Sequence, residues 1–314
     1  MRTHRWLSVV LVLVFVAGAA GGADFTGKPK YPFHFVMYGD IRFTDPANTR
    51  PSDPVRRELL VKEIAEDKPA FVVINGDLVL RGGNPDDWKQ WDAGSEPFRD
   101  AHVRIFPVIG NHELSNDPAA TNYFAHFPEL KDKRWYSVHY RNCMLFLLDS
   151  SMDQEGGDQW MWLDHELHHL PKETRFVFFA LHHPPITQSS PNLLTGGHSA
   201  RPQEQALAGL IEAAHTRTGL PMFVVAGHVH NYERYERNGV EYIVAGGGGA
   251  TPYEINRAPN DFYHDPGPTY HYTEWTIGKD TLTYEMQKLV LEDGKPKWER
   301  KDWFEVKNDQ EQKQ

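Results

Sequence analysis

Five times along this 314-residue chain, a short apolar run stops at a cluster of polar side chains able to hold a cation. Phe33–Tyr38 ends at Gly39-Asp40, Phe71–Ile74 leads to Gly76-Asp77, and Arg104–Val108 leads to Gly110-Asn111-His112-Glu113. Phe176–Leu181 ends at His182-His183-Pro184, and Met222–Ala226 at Gly227-His228-Val229-His230. Short apolar runs bounded in this way read as buried strands. Repeating the pattern constrains the fold strongly, because ligands arriving from several strand ends must converge at one edge of a β framework.

The segments between the runs supply the other layers. Pro54–Asp67 predicts a helix, with Leu59, Leu60 and Ile64 as its apolar stripe and Asp53 as N-cap. Residues 86–98 read as a second helix carrying Trp88 and Trp91, 157–169 as a third carrying Trp160 and Leu163, and 202–215 as a fourth. Trp135–Tyr140 and Cys143–Leu148 form an antiparallel pair around Arg141-Asn142. Beyond Glu241 the pattern turns to β at Tyr242–Ala245, Tyr270–Ile277 and Thr281–Leu289. Strand–ligand–helix repeats imply a largely parallel framework. The order fits an α/β fold, a four-layer α/β/β/α sandwich of two mixed sheets, over residues 30–305.

The ends read differently. Arg2, His4 and Arg5 precede an apolar stretch from Trp6 to Val16 and a small-residue stretch from Ala17 to Ala23. This is the pattern of a secretory signal peptide over residues 1–23, cleaved after Ala19 or Ala23, and it predicts export. An uncleaved anchor is the other reading, but the run is short of the ~20 apolar residues that a spanning helix needs, so no stable membrane anchor is expected. Residues 306–314 read as a polar tail. Cys143 is the only cysteine, which excludes an intrachain disulfide, and its apolar surroundings predict a buried structural thiol. A formal net charge of −10 argues against a nucleic-acid or anionic-membrane surface. A small anionic substrate stays possible, because bound cations would reverse the potential locally.

Asp40, Asp77, Asn111, His182, His228 and His230 form a donor set for two cations. Such a pair, about 3.5–4 Å apart, generates a nucleophile at neutral pH and offsets charge on phosphoryl and leaving oxygens. The chemistry implied is metal-assisted hydrolysis.

The ordered clusters resemble those of the calcineurin-like metallophosphoesterase superfamily, whose blocks are D-x-H or D-x-G, G-D, G-N-H-[DE], H-x-P and G-H-x-H. Gly227-His228-Val229-His230-Asn231-Tyr232-Glu233-Arg234 is similar to its purple acid phosphatase-like branch, and Gly156–Leu163 resembles a helix start common in the superfamily. The likeness runs from about Phe35 to Leu289. It implies a phosphoesterase acting on a small phosphorylated substrate, with two divalent or trivalent ions (Mn, Fe or Zn) and in-line attack by a metal-bound hydroxide. Asp77 would bridge the ions, Asp40 and His230 would hold the first, and Asn111, His182 and His228 the second. His182 fits the H-x-P spacing, which leaves His183 a supporting role. His112 would contact the phosphate or protonate the leaving oxygen, oriented by a carboxylate such as Glu113 or Asp40. His198, in the loop Thr187–Arg201, would be a second acid by position, and equally a surface histidine.

Two positions depart from the pattern. Arg42 stands where many relatives place a histidine ligand, and Leu80 where purple acid phosphatases place a tyrosine. In one reading Arg42 points away, leaving an open binuclear site with a labile first metal. In the other its guanidinium enters, contacts the substrate phosphate and replaces part of a cation's charge. We adopt the first as the expectation. No tyrosinate-to-iron colour is expected in either. A binding module that keeps one metal and has little or no turnover is the alternative function. Gly246–Gly249 predicts a close backbone crossing. His271 and Tyr272 read as strand packing, and 116–127 as either a cleft wall or a packed loop.

Overall fold

The computed structural model describes residues 30–152, 155–188, 199–252, 254–265 and 267–308. The strands are β1 (Phe33–Tyr38), β2 (Phe71–Ile74), β3 (Arg104–Pro107), β4 (Tyr136–Tyr140), β5 (Cys143–Leu147), β6 (Phe176–Leu181) and β7 (Met222–Ala226). They continue with β8 (Tyr232–Arg237), β9 (Val240–Ala245), β10 (His271–Ile277), β11 (Thr281–Glu292) and β12 (Lys295–Lys307). The helices are α1 (Pro54–Asp67), α2 (Pro85–Gly94), α3 (Glu96–Asp100), α4 (Thr121–His126), α5 (Asp158–His168) and α6 (Pro202–Thr218).

Two six-stranded sheets form, in the orders β12-β11-β10-β1-β2-β3 and β4-β5-β6-β7-β9-β8. β1, β2 and β3 run parallel, as do β5, β6, β7 and β9, while β10–β12, β4 and β8 attach antiparallel. Strand alternation sorts the side chains into layers. Phe35, Met37, Phe71 and Val73 face Phe178, Phe223 and Ile243 in the core between the sheets. Val36, Tyr38, Val72 and Ile74 turn outward onto Leu60, Val61 and Ile64 of α1 and Trp88 and Trp91 of α2. Phe146, Val177, Phe179 and Val224 pack on Leu163 and Leu167 of α5 and Leu207 and Ile211 of α6. This is the expected α/β/β/α sandwich. The side chain of Asp53 caps α1 by accepting from Arg56 N at 3.0 Å.

Three local expectations change. The helix expected over 86–98 breaks at Ser95, because Pro97 lacks the N–H needed to continue it and its ring crowds the preceding turn. Tyr232–Arg237, read as part of a ligand motif, is a full strand paired with β9. The polar stretch after Glu292 is also strand. β12 reaches Lys307, so Val306 and Lys307 pair with Leu282 and Thr281 rather than belonging to a tail. Asn308 is buried, and its Nδ2 donates to Arg175 O at 2.8 Å. Charged side chains on an edge strand hide it from a hydropathy reading, though they suit an edge that must not pair further. The signal-peptide stretch lies outside the described residues.

Candidate metal centre

The carboxyl ends of β1, β2 and β3 in one sheet meet those of β6 and β7 in the other. Two hydrogen bonds fix the junction: His228 N donates to Asp40 Oδ2 at 2.7 Å, and His182 Nδ1 lies 2.9 Å from Asn75 O. The chain bends sharply at each strand end. Asp40 (φ 60°), Arg42 (φ 52°), Asp77 (φ 57°) and His228 (φ 68°) all adopt left-handed backbone. Such a conformation costs a non-glycine residue about 1–2 kcal/mol, so the concentration of four at one place marks a site held under strain. The glycine run makes the expected close crossing. A Cβ on Gly246 would stand 2.1 Å from Val229 O and 2.9 Å from Asp40 Oδ2.

Two groups of ligand atoms result, each with its atoms within 4.8 Å of one another: Asp40, Asp77 and His230, and His182, His183 and His228. Asn111 Oδ1 joins the second group, 2.9 Å from His182 Nε2 and 3.1 Å from His228 Nδ1. When His182 donates its Nδ1–H to Asn75 O, Nε2 is left as a lone pair. That nitrogen faces Asp77 Oδ1 at 3.3 Å and His228 Nδ1 at 3.2 Å. His230 repeats the arrangement, with Nδ1 3.0 Å from Thr251 O and Nε2 3.5 Å from Asp40 Oδ1. Lone pairs converging on lone pairs are unfavourable unless a cation lies among them. Asp40 Oδ1 is buried with no hydrogen-bond donor among the described residues, as a ligand oxygen would be. The donor set therefore fits metal ions.

The electrostatics agree. Burial, then the neighbouring Asp77 carboxylate, raise the Asp40 acid well above the ordinary carboxylate range. Burial also works against Asp77, but His182, His112 and Arg42 outweigh it and hold Asp77 well below that range. Burial lowers the proton affinity of His182, favouring the neutral imidazole that a metal requires.

Glu113 is buried and accepts from the backbone N–H groups of Asp77 (2.8 Å), Leu78 (2.8 Å), Val79 (3.3 Å) and Gly110 (2.8 Å). It clamps the β2 loop to the β3 loop. Burial and the Asp77 charge push its acid up to about 8, against the pull of those donors. Glu113 uses both oxygens on backbone N–H groups and Asp40 Oδ2 accepts from His228 N, and neither carboxylate is the partner of His112 Nδ1. The orienting group is the carbonyl of Leu80, 2.5 Å from His112 Nδ1, in place of the expected carboxylate. His112 Nε2 then points inward, 3.8 Å from Asp77 Oδ2.

Arg42 does not point away. Its Nε and Nη2 donate to Asp77 Oδ2 at 3.3 and 3.1 Å, which overturns the expectation of a guanidinium outside the site. His183 is drawn closer than a supporting role implied. Ser150 Oγ lies 2.8 Å from its Nδ1 and accepts its backbone N–H at 3.0 Å, and its ring centroid is 4.4 Å from that of His228. The only sequence signal for this was the doubled histidine at a strand end. His198 lies outside the described residues. The end of the G-H-x-H stretch is structural: Arg234 Nε and Nη2 donate to buried Asp302 at 2.6 and 3.0 Å, and Glu233 accepts from Thr187, Gln188 and Tyr235. His271 and Cys143 are buried as expected.

The model of the calcineurin-like phosphoesterase family matches residues 34–232. Purple acid phosphatase 23 of Arabidopsis thaliana is 23% identical over 282 residues, covering 76% of this chain and 57% of that protein. A probable inactive purple acid phosphatase 1 of the same plant is 25% identical over 228 residues, covering 61% and 36%. Among solved structures, a purple acid phosphatase from yellow lupin (Lupinus luteus) seeds superposes with a TM-score of 0.71 at 18% identity, covering 89% of this chain and 54% of that one. The chain thus spans less than two-thirds of each of these relatives, and at such identity the superposition speaks for the fold.

Proposed function

The chain belongs to the calcineurin-like phosphoesterase family, and from that premise we propose that it hydrolyses phosphate esters at this centre. The observation that carries the reading is the meeting of two ligand groups at the carboxyl ends of parallel strands from both sheets. His182, His228 and Asn111 would hold one divalent ion tightly, with His183 within reach. Asp40, Asp77 and His230 form the other ligand group, whose charge the neighbouring guanidinium of Arg42 already offsets in part. Such ions supply a nucleophile at neutral pH and offset the charge on the phosphoryl oxygens. His112 would serve the leaving group: with Nδ1–H donated to Leu80 O, Nε2 is the atom that carries and delivers the proton. The mouth of the centre keeps Asn111 exposed and Arg42 and His112 partly so, and a small phosphorylated substrate would enter there. Export through residues 1–23 belongs to the same proposal.

The test is hydrolysis of aryl phosphate mono- and diesters with Mn²⁺, Zn²⁺ or Fe²⁺, with Asp77→Ala and His112→Ala as controls. Metal-dependent turnover lost in Asp77→Ala is expected, and turnover unchanged in that variant would refute the site. No turnover across the panel would favour a metal-retaining binding module. That second reading draws support from the relative named as probably inactive and from the arginine on Asp77.

A further inference from the structure

The two oxygens of Asp77 face different partners. Oδ1 lies 3.3 Å from His182 Nε2 and accepts from His112 N at 3.0 Å, whereas Oδ2 accepts two N–H groups from Arg42. A fixed positive charge therefore already sits on the carboxylate side of the centre. Among the described residues, the ligand group on that side is two carboxylates and one imidazole, while the other side gathers three imidazoles.

Arg42 is held there by design of its surroundings. Its left-handed backbone (φ 52°) donates N–H to Asp77 O at 2.9 Å. Its carbonyl accepts from Ser52 Oγ at 3.1 Å and from Arg57 Nη1 at 3.0 Å. Arg57 is itself buried, with its guanidinium 4.4 Å from the Phe43 ring centroid, and burial lowers it to about 10. Burying a guanidinium is unfavourable unless its donors are used. Here one of them fixes the carbonyl of another arginine. The Arg42 side chain keeps 12% exposure and that of His112 22%, so both reach the mouth of the centre.

Resting on the phosphoesterase reading above, we infer that Arg42 takes the place of the second cation. One divalent ion is held tightly on the imidazole side, and the guanidinium neutralises Asp77 on the other and turns its remaining donors to a phosphoryl oxygen of the substrate. A guanidinium is suited to this, being permanently charged and offering several donors in a planar fork. Arg57 is a positioning residue that keeps Arg42 in register.

The experiment is Mn²⁺ titration of the full chain, read by metal content after desalting and by electron paramagnetic resonance, with inorganic phosphate affinity measured on the Mn²⁺ form. One ion per chain with the spectrum of an isolated Mn²⁺ is expected for the unaltered protein. Arg42→His, which offers an imidazole and removes the fixed charge, is expected to bind two ions with an exchange-coupled spectrum. Arg42→Ala is expected to weaken phosphate about tenfold or more, the loss typical of charge-assisted hydrogen bonds, with Arg42→Lys between the two. Two tightly held, coupled ions in the unaltered protein would overturn the inference and leave the phosphoesterase reading intact. Phosphate affinity unchanged in Arg42→Ala, or a single ion in Arg42→His, would also overturn it. Binding of no ion at all would sink both readings together.

Discussion

One side of the centre gathers His182, His183 and His228 around Asn111, and the other sets Asp40 and Asp77 against His230 and Arg42. The difference is one of charge. Neutral imidazoles can be buried and aimed in advance by a hydrogen bond at the second nitrogen, as Asn75 O does for His182 and Ser150 Oγ for His183. Buried carboxylates cannot wait in that way, because two negative charges in a dry pocket raise each other's proton affinity. Asp40 takes that penalty, while Asp77 escapes it through His182, His112 and Arg42. A ligand-rich side therefore tolerates being a ready site, and a charge-rich side needs a cation of its own.

Asp77 is the residue both sides share, and its replacement should have the largest effect. Asp77→Asn is expected to lower kcat/KM by about 10³-fold or more, since metal stabilisation of a phosphoryl transition state is worth several kcal/mol. Less than a tenfold loss in a steady-state assay would show that the two groups act separately. His112→Asn should cost about 10²-fold in kcat for a poor alkoxide leaving group and far less for an aryl one. An equal loss for both leaving groups would assign the acid elsewhere.

The imidazole side can be probed alone. Ser150→Ala removes the partner of His183 and should weaken Mn²⁺ or Zn²⁺ affinity by about tenfold, as loss of a group orienting a ligand does. Calorimetry showing unchanged affinity would return His183 to a purely structural role. Beneath the carboxylate side, His271 offers a smaller, thermodynamic readout. It is buried next to Gly247, its Nε2 has no hydrogen-bond partner among the described residues, and burial lowers its pKa to about 3. The unfolded chain takes up this proton near pH ~6.5, while the folded one refuses it until much lower pH. Stability is thus fully present above the unfolded value and falls as pH drops towards the folded value, by roughly 1 kcal/mol per pH unit. His271→Gln should flatten that acid limb in denaturant titrations; an unchanged slope would mean the imidazole is not buried in neutral form.

Most of the architecture was legible because it rests on short-range chemistry. Strands β1, β2, β6 and β7 are apolar on both faces, so their positions and ends stand out, and the polar clusters mark where each stops. What escaped notice carries the opposite pattern. β12 alternates charges along an edge, β8 is hidden within the ligand motif, and the break at Ser95 depends on one proline. Within the centre, residue types were readable and orientations were not. Leu80 orients His112 through a carbonyl, a group every residue carries and no sequence pattern announces. Arg57 acts from the first turn of a helix on a residue it never neighbours in sequence.

The sequence alone determined the layers, the strand ends and the identity of the candidate metal-ligand side chains, because hydrophobic periodicity and donor chemistry are local properties. Only the tertiary structure decided which oxygen of Asp77 each partner meets, that His183 joins the imidazole side, and that Arg42 turns inward. These depend on left-handed turns at strand ends and on contacts between residues far apart in the chain, Arg42 and Asp77 being 35 positions apart. Side-chain direction at such turns is set by the surrounding backbone, and that exists only once both sheets have come together.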